Sequence, residues 1–470
     1  MKEYPLLLAG KKIMTSRKIT VTNPYNGEPV GRASLADDKI IEQAIDAAGR
    51  ALPNLKKMAA YELSEVLAEI ARAIAETSGE FARIISLESA KPLRFSRGEV
   101  ARAVQTFRVA SEEVRRPPGE VLRIDWTPAG KGKSGMVQYF PVGPVAGISP
   151  FNFPLNLAVH KIAPALAARC PIILKPSSST PLSTLKLAEL FESVPLPEGA
   201  ISILPAPREL GWKLVTDPRI RLISFTGSPA VGWKIKSAAG RKKVLLELGG
   251  NAGVIVTESA DINDAVGKCI TGAFAYSGQV CIHAQRFFVQ ESVFEAFKQK
   301  FIAQASQLKT GDPIDETTDI SAMIDLENAL RVEDWVNEAV AGGAEILLGG
   351  KRDSSYFPPT VLTRTRPQMK VCSMEIFGPV VTLEPYSKIE EAIDAVNFGR
   401  YGLQAGVFTN RLDEVKLVFE EIETGGIIIN DVPTFRVDHM PYGGIKDSGL
   451  GREGVKYAMT EMMEPKILIY

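Results

Sequence analysis

The chain has 470 residues, 45% of them hydrophobic and 23% charged, with 55 basic side chains against 55 acidic ones. That length suits two or three domains, and the neutral balance leaves no electrostatic case for binding nucleic acid or an anionic membrane. Four cysteines, Cys170, Cys269, Cys281 and Cys372, are too few and scattered for a disulfide framework, and no CxxC pair suggests a metal site, so a reducing, cytoplasmic setting is expected.

The first residues carry only a short apolar run, which is no signal peptide, and no stretch approaches the ~20 apolar residues of a membrane span. From about Asp37 to Ser111 the spacing of apolar residues is helical, as in "IEQAIDAAGRAL" and "ELSEVLAEIARAIAETSGEFARIISLESAK". Gly/Pro punctuation follows around Arg116 to Lys133. Short apolar runs then alternate with helical segments: "VGPVAGISP", "NLAVHKIAPALAARC", "PIILKPS", "PLSTLKLAELFES", "AISILP", "RELGWKLVTDP", "IRLISFTG" and "PAVGWKIKSAAG". Strand–helix alternation with buried strands predicts a parallel sheet covered on both faces, the general form of a dinucleotide-binding domain. After Glu247 the alternation resumes, with "INDAVGKCITGAFAYSGQ" among its elements, and predicts a second α/β unit.

Several short stretches could carry chemistry. No GxGxxG opens a helix, but "FTGSPAVG" puts Gly227 and Gly232 where a strand turns into a helix, either a plain turn or a phosphate seat. "LKPSS" ends a strand with Lys175, which can meet a ligand there or simply be solvated. "LLELGGN" ends an apolar run with Glu247, where apolar surroundings would raise a carboxylate's pKa and suit a general base. "SPFNFPLN" offers Asn152, a helix cap or an oxyanion donor. "YSGQVCI" offers Cys281, a core thiol or a nucleophile.

Taken together, and in order, "NPYNGEPVG", "PVGPVAGISPFNFPL", "LKPSSSTPLS", "FTGSPAVG", "LELGGNAG", "YSGQVCI", "MEIFGPV", "NDVPTFRVDHMPYGG" and "KDSGLGREG" resemble the aldehyde dehydrogenase superfamily over nearly the whole chain. The likeness is to its NAD(P)-dependent, non-acylating members of the lactaldehyde and semialdehyde type. It implies an α/β fold: a Rossmann-like cofactor domain over 1–118 and 138–246, and a second α/β catalytic domain over 247–435. It further implies a small β oligomerisation element from 119–137 and 457–470, and a return segment, 436–456, packing near the cofactor domain. By the same resemblance Cys281 is the nucleophile, Asn152 the oxyanion-hole side chain and Glu247 the base for thioester hydrolysis. Lys175 and Glu375 would hold the cofactor riboses, Ser149, Pro150, Gly227 and Ser228 would lie along the cofactor, and Phe377 would lie on the nicotinamide side. NAD-preferring relatives often carry Glu where this chain has Ser178. Serine removes a repulsion, so Lys175 and Arg208 could pair with a 2′-phosphate and NADP is expected to serve at least as well as NAD.

Arg108, His160, Ile282, His283, Arg436 and His439 are expected around the substrate, making a polar pocket for a small hydroxylated or anionic aldehyde. Arg108 and Arg436 could equally be solvated surface charges. The tail "EPKILIY" has no evident partner in its own domain, and such an edge asks for pairing, so a homodimer or homotetramer is expected. Two other readings stand beside this one. A non-catalytic binding protein on the same fold is opposed by the intact Cys281, Glu247, Asn152 and Lys175. An acylating or reducing relative would not need Glu247 and would yield a thioester rather than the free acid.

Overall fold

The computed structural model describes residues 1–470. Its first large sheet is eight-stranded. In spatial order the strands are Gly449–Leu450, Lys243–Glu247, Leu222–Thr226, Val145–Ile148, Ile172–Lys175, Ile201–Ile203, Leu6–Leu8 and Lys11–Ile13. Those from Lys243–Glu247 to Ile201–Ile203 run parallel, and the flanking strands are antiparallel. Alternate side chains of one strand enter two different cores. Ile172 and Leu174 pack on one face of the sheet, Ile173 on the other. Burial on both faces is why these strands read as unbroken apolar runs.

The strand order reverses between Val145–Ile148 and Leu222–Thr226, since the chain builds outward from Val145–Ile148 in one direction and then in the other. In an open α/β sheet a ligand crevice forms at the carboxyl ends of the strands at such a point. The helix Asn156–Ala167 leaves that end of the sheet, and all of its residues are buried, including His160 and Lys161. Polar groups placed so deep need partners, and they find them in the site described below.

The second sheet is seven-stranded and mostly parallel: Glu345–Leu348, Thr360–Thr363, Val380–Tyr386, Ala284–Gln290, Ala252–Val256, Gln404–Phe408 and Gly426–Ile429. The chain passes from the carboxyl end of Lys243–Glu247 through Leu248–Asn251 to the amino end of Ala252–Val256. Glu247 therefore ends one sheet, while Cys281 lies just before the start of Ala284–Gln290 in the other. Gly250 closes the gap between them, because a Cβ there would collide with the Cys281 carbonyl.

A third sheet joins Gly119–Arg123, Ser134–Pro141 and Met463–Ile469. Here the sequence-based expectation needs correcting. The terminal strand does have a partner in its own chain, pairing antiparallel with Ser134–Pro141 from Met463↔Pro141 to Ile469↔Gly135. No partner is evident from sequence because Ser134–Pro141 lies so far away along the chain. The outer edge of this sheet stays open, and Val121, Trp126, Ile467 and Leu468 are exposed.

Candidate active site

A cavity of about 340 Å³ lies at the carboxyl ends of the first sheet's strands. Ser149, Pro150, Lys175, Ser178, Arg208, Gly227 and Ser228 all line it, so these sequence-singled residues converge on one cleft. Ser228 is the N-cap of the helix Pro229–Ala238 and makes no capping bond through its side chain. The first N–H groups of that helix are thus available to an anion. The Ser149 hydroxyl is buried without a partner. Lys175 runs its alkyl chain past Gly211, where a Cβ would sit 3.3 Å from its Cδ. Burial, and then the charge of Arg208, push the Lys175 ammonium pKa down. Two cations facing one cleft favour an anion between them. An orphan hydroxyl, a free helix start and paired cations together fit a phosphorylated dinucleotide.

A second cavity, of about 360 Å³, shares Pro150, Phe151, Thr226, Gly227 and Ser228 with the first and reaches Cys281. Glu375 and Phe377 form part of its far wall. Glu375 accepts a hydrogen bond from the Gly250 N–H at 2.9 Å, and burial pushes its carboxyl up to about 7. Phe377 holds a left-handed φ of 45°, with its ring edge-on to Phe151 at 5.8 Å. Asn328, Arg331 and Trp335 complete the wall. Sequence reading passed over them, although their spacing on the helix Leu326–Ala341 puts them on one face and was a usable signal.

Cys281 is the one cysteine of the four that is not fully buried. The residues before it are held in an unusual path: Tyr276, Ser277 and Gly278 have φ of 49°, 53° and 67°. Left-handed backbone at two non-glycine residues is costly and needs outside support. It comes from the Tyr276 hydroxyl, which donates to Ser89 O at 3.2 Å, and the Ser277 hydroxyl, which donates to Ser321 O at 2.8 Å. The Cys281 sulfur lies 3.0 Å from the Tyr442 hydroxyl. Burial pushes its thiol up to about 11, against the pull of the Tyr442 hydrogen bond and the Arg436 charge.

Asn152 donates through Nδ2 to Gln279 O at 2.9 Å, which ties it to the cysteine loop. Its own loop is anchored from below by Glu99, which accepts from the Leu155 and Asn156 N–H groups at 2.9 and 3.1 Å. Glu99 also pairs with the fully buried Lys91, whose ammonium sits 3.8 Å from the centre of the Phe153 ring.

Glu247 is buried, and one of its carboxyl oxygens has no partner. Burial, reinforced by the charge of Glu453, holds its pKa well above the usual carboxylate range. Glu453 goes the other way. Burial opposes its ionisation, but Lys161, His160 and Arg436 outweigh that and hold it well below the usual range. His160 faces Asp438 through Nε2 at 2.8 Å and Glu453 through Nδ1 at 3.1 Å. Arg436 reaches Glu453 at 2.8 Å and lies 3.5 Å over the centre of the Tyr442 ring. Arg102 reaches Asp438 at 2.8 Å, and Lys161 reaches Thr226 at 2.7 Å. Of this cluster, sequence reading named His160, Arg436 and Glu247. It missed Tyr442, Glu453, Asp438, Lys161 and Arg102, whose segments are far apart in the chain.

Three expected pocket residues lie elsewhere. Arg108 is exposed and lines a surface groove with Gly79 and Arg97, because helical spacing turns it to the outer face of Leu93–Glu113 while Arg102 takes the inner one. His283 is buried under the site, one ring nitrogen bonded to Ala273 O at 2.8 Å, and burial pushes its pKa down to about 4. It lies in the turn between Cys281 and the strand Ala284–Gln290, where no strand alternation holds residues two apart on one face. His439 is exposed, while its neighbour Asp438 points inward. Ile282 is buried in an apolar cluster with Tyr276, Leu403 and Tyr442.

The chain is 44% identical to a 3-sulfolactaldehyde dehydrogenase of Priestia megaterium, over all of this chain and 98% of that protein. It is 39% identical to a lactaldehyde dehydrogenase of Methanocaldococcus jannaschii, over 97% of this chain and 98% of that one. Among solved structures, aldehyde dehydrogenase 21 of Physcomitrella patens, in complex with the reaction product succinate, superposes with a TM-score of 0.98 at 44% identity, covering 100% of this chain and 98% of that one. Glyceraldehyde-3-phosphate dehydrogenase of M. jannaschii, complexed with NADP, gives 0.93 at 39% identity, covering 97% and 100%. The sequence model of the Aldehyde dehydrogenase family matches residues 13–468, and on that match, with these relatives, the chain belongs to that family.

Proposed function

We propose that the protein oxidises a small polar or anionic aldehyde to its carboxylate with NADP or NAD, using Cys281 as nucleophile. The observation that carries the reading is Cys281 itself: a partly open thiol lining a cavity that shares Pro150, Phe151, Thr226, Gly227 and Ser228 with the cleft at the first sheet. The names of the relatives, which act on lactaldehyde and 3-sulfolactaldehyde, support the substrate class. So does Arg436, whose positive charge acts on the Cys281 sulfur and would attract an anionic aldehyde there.

In this reading the Cys281 thiolate adds to the aldehyde carbon, and the carbonyl pair moves to oxygen. The second Asn152 N–H and the Cys281 backbone N–H stabilise that oxyanion. The bound cofactor supplies the hydride acceptor. Lys175, Gly227, Ser228, Glu375 and Phe377 would hold it in the cleft, and Arg208, which lines the same cleft as Lys175 and Ser178, would add a cation for a phosphate. Glu247 then removes a proton from water for thioester hydrolysis, a task its elevated pKa suits.

The two large sheets support a cofactor domain of residues 1–118 and 138–246 and a catalytic domain of 247–435, with 436–456 returning to the first. The open edge and exposed apolar residues of the third sheet support assembly into a homodimer or homotetramer. Four free cysteines suit a cytoplasmic setting, and no helix is long and apolar enough to cross a membrane.

The test offers neutral, carboxylated and sulfonated short aldehydes to the parent and to Cys281→Ala, with each cofactor, and follows both cofactor reduction and free acid. The parent should favour the anionic aldehydes and release free acid, and Cys281→Ala should be inactive while still binding cofactor. Turnover retained in Cys281→Ala removes the reading.

A further inference from the structure

Tyr442 stands outside the machinery assigned above, yet it makes the closest polar contact to the sulfur. Its side chain is buried among Tyr276, Val280, Ile282 and Leu403, and its hydroxyl has the Cys281 sulfur as its hydrogen-bond partner at 3.0 Å. Two features fix it there. Its backbone bonds to Glu453 in both directions, N–H to O at 3.0 Å and O from N–H at 2.6 Å. The Arg436 guanidinium lies on its ring, 3.5 Å from the centroid, and is itself held by Glu453 at 2.8 Å.

The direction of the contact depends on the sulfur's charge. A thiol can donate or accept, whereas a thiolate can only accept. Ionisation therefore leaves the phenol as donor, in a hydrogen bond strengthened by the charge. A cation on the ring face draws electron density from the phenol and makes its O–H a better donor. No other side chain donates to this sulfur. The remaining charged groups near it are Arg436, which favours the thiolate, and Glu247 and Glu375, which oppose it. The same Arg436 and Glu247 face Tyr442.

We propose that Tyr442 is a catalytic residue whose hydroxyl donates to the Cys281 sulfur whenever that sulfur carries negative charge. The proposal rests on the reading of Cys281 as nucleophile. The charge is present twice. In attack, a sulfur lone pair forms the S–C bond, the carbonyl π pair moves to oxygen, and the sulfur becomes neutral. In hydrolysis, water oxygen bonds the acyl carbon, a water proton passes to Glu247, and the S–C bond breaks with its pair returning to sulfur. Tyr442 keeps its own proton throughout. It stabilises the nucleophile before attack and the leaving group at hydrolysis.

The test is Tyr442→Phe, which removes one oxygen and keeps the ring under Arg436. The pH dependence of Cys281 alkylation by iodoacetamide is measured on the full chain without cofactor, with Cys281→Ala giving the background from the buried cysteines. Losing a charge-assisted hydrogen bond should move the midpoint upward by about one to two pH units. Cofactor reduction at neutral pH should slow and recover at higher pH. A purely structural role would lower reactivity at every pH and leave the midpoint in place, and an unchanged midpoint in a variant that still binds cofactor overturns the proposal. Turnover retained in Cys281→Ala would instead bring down the underlying reading, so the two failures are distinguishable.

Discussion

Glu247 and Glu453 sit in one buried cluster, and their surroundings drive their ionisation in opposite directions. Glu453 has three cationic or hydrogen-bonding partners, while Glu247 has an unpartnered oxygen and a like charge beside it. Such separation is how two carboxylates in one site take different tasks. The free, reluctant carboxyl is the one suited to take a proton from water late in the cycle. Glu247→Gln should therefore keep the rapid first burst of reduced cofactor and lose steady turnover by about two to four decades. Rapid mixing reads both. Loss of the burst in equal measure would place Glu247 in thiol activation instead. At the other end of the site, Ser178 shares its cleft with Lys175 and Arg208. A carboxylate there would face a 2′-phosphate and also neutralise those cations. Ser178→Glu should shift the ratio of kcat/KM values toward NAD by about one to two decades, the worth of 1–3 kcal/mol. An unchanged ratio would show that Ser178 is not the discriminator.

Among the elements, the strands and helices of both sheets follow from the apolar pattern, because a strand buried on both faces leaves a strong trace in sequence. The turn before Cys281 does not. "INDAVGKCITGAFAYSGQ" reads as one continuous element, yet the helix Ile262–Phe274 stops and the chain goes left-handed at Tyr276. Nothing in the propensities of tyrosine or serine asks for this. It is imposed by distant carbonyls, those of Ser89 and Ser321, which local sequence cannot show. Gly278 is the tightest point. It has φ of 67°, and an added Cβ would strike the Gly378 carbonyl, which is backbone and cannot swing aside. Gly278→Ala should lower the denaturant midpoint by the equivalent of about 1–3 kcal/mol without changing the slope, and should slow alkylation of Cys281 by displacing it. A midpoint unchanged in urea would mean that the loop relaxes freely.

For the molecule as a whole, the residues of the site that were legible were those lying in compact motifs: Cys281, Glu247, Asn152, Lys175. The charged cluster around His160 was not, because its members come from segments spread from Arg102 to Glu453 and become neighbours only when the sheets assemble. The pairing of Met463–Ile469 with Ser134–Pro141 was hidden for the same reason. That pairing has a consequence during synthesis. On the ribosome, Ser134–Pro141 emerges long before its partner Met463–Ile469, and Gly449–Leu450 likewise arrives long after the strand Lys243–Glu247 that it covers. For most of translation the nascent chain carries bare strand edges, and closing loops of such length costs entropy before any contact rewards it. Neighbouring chains on one messenger expose the same edges at the same time, so crowded translation is the stage at which this protein is most open to mispairing.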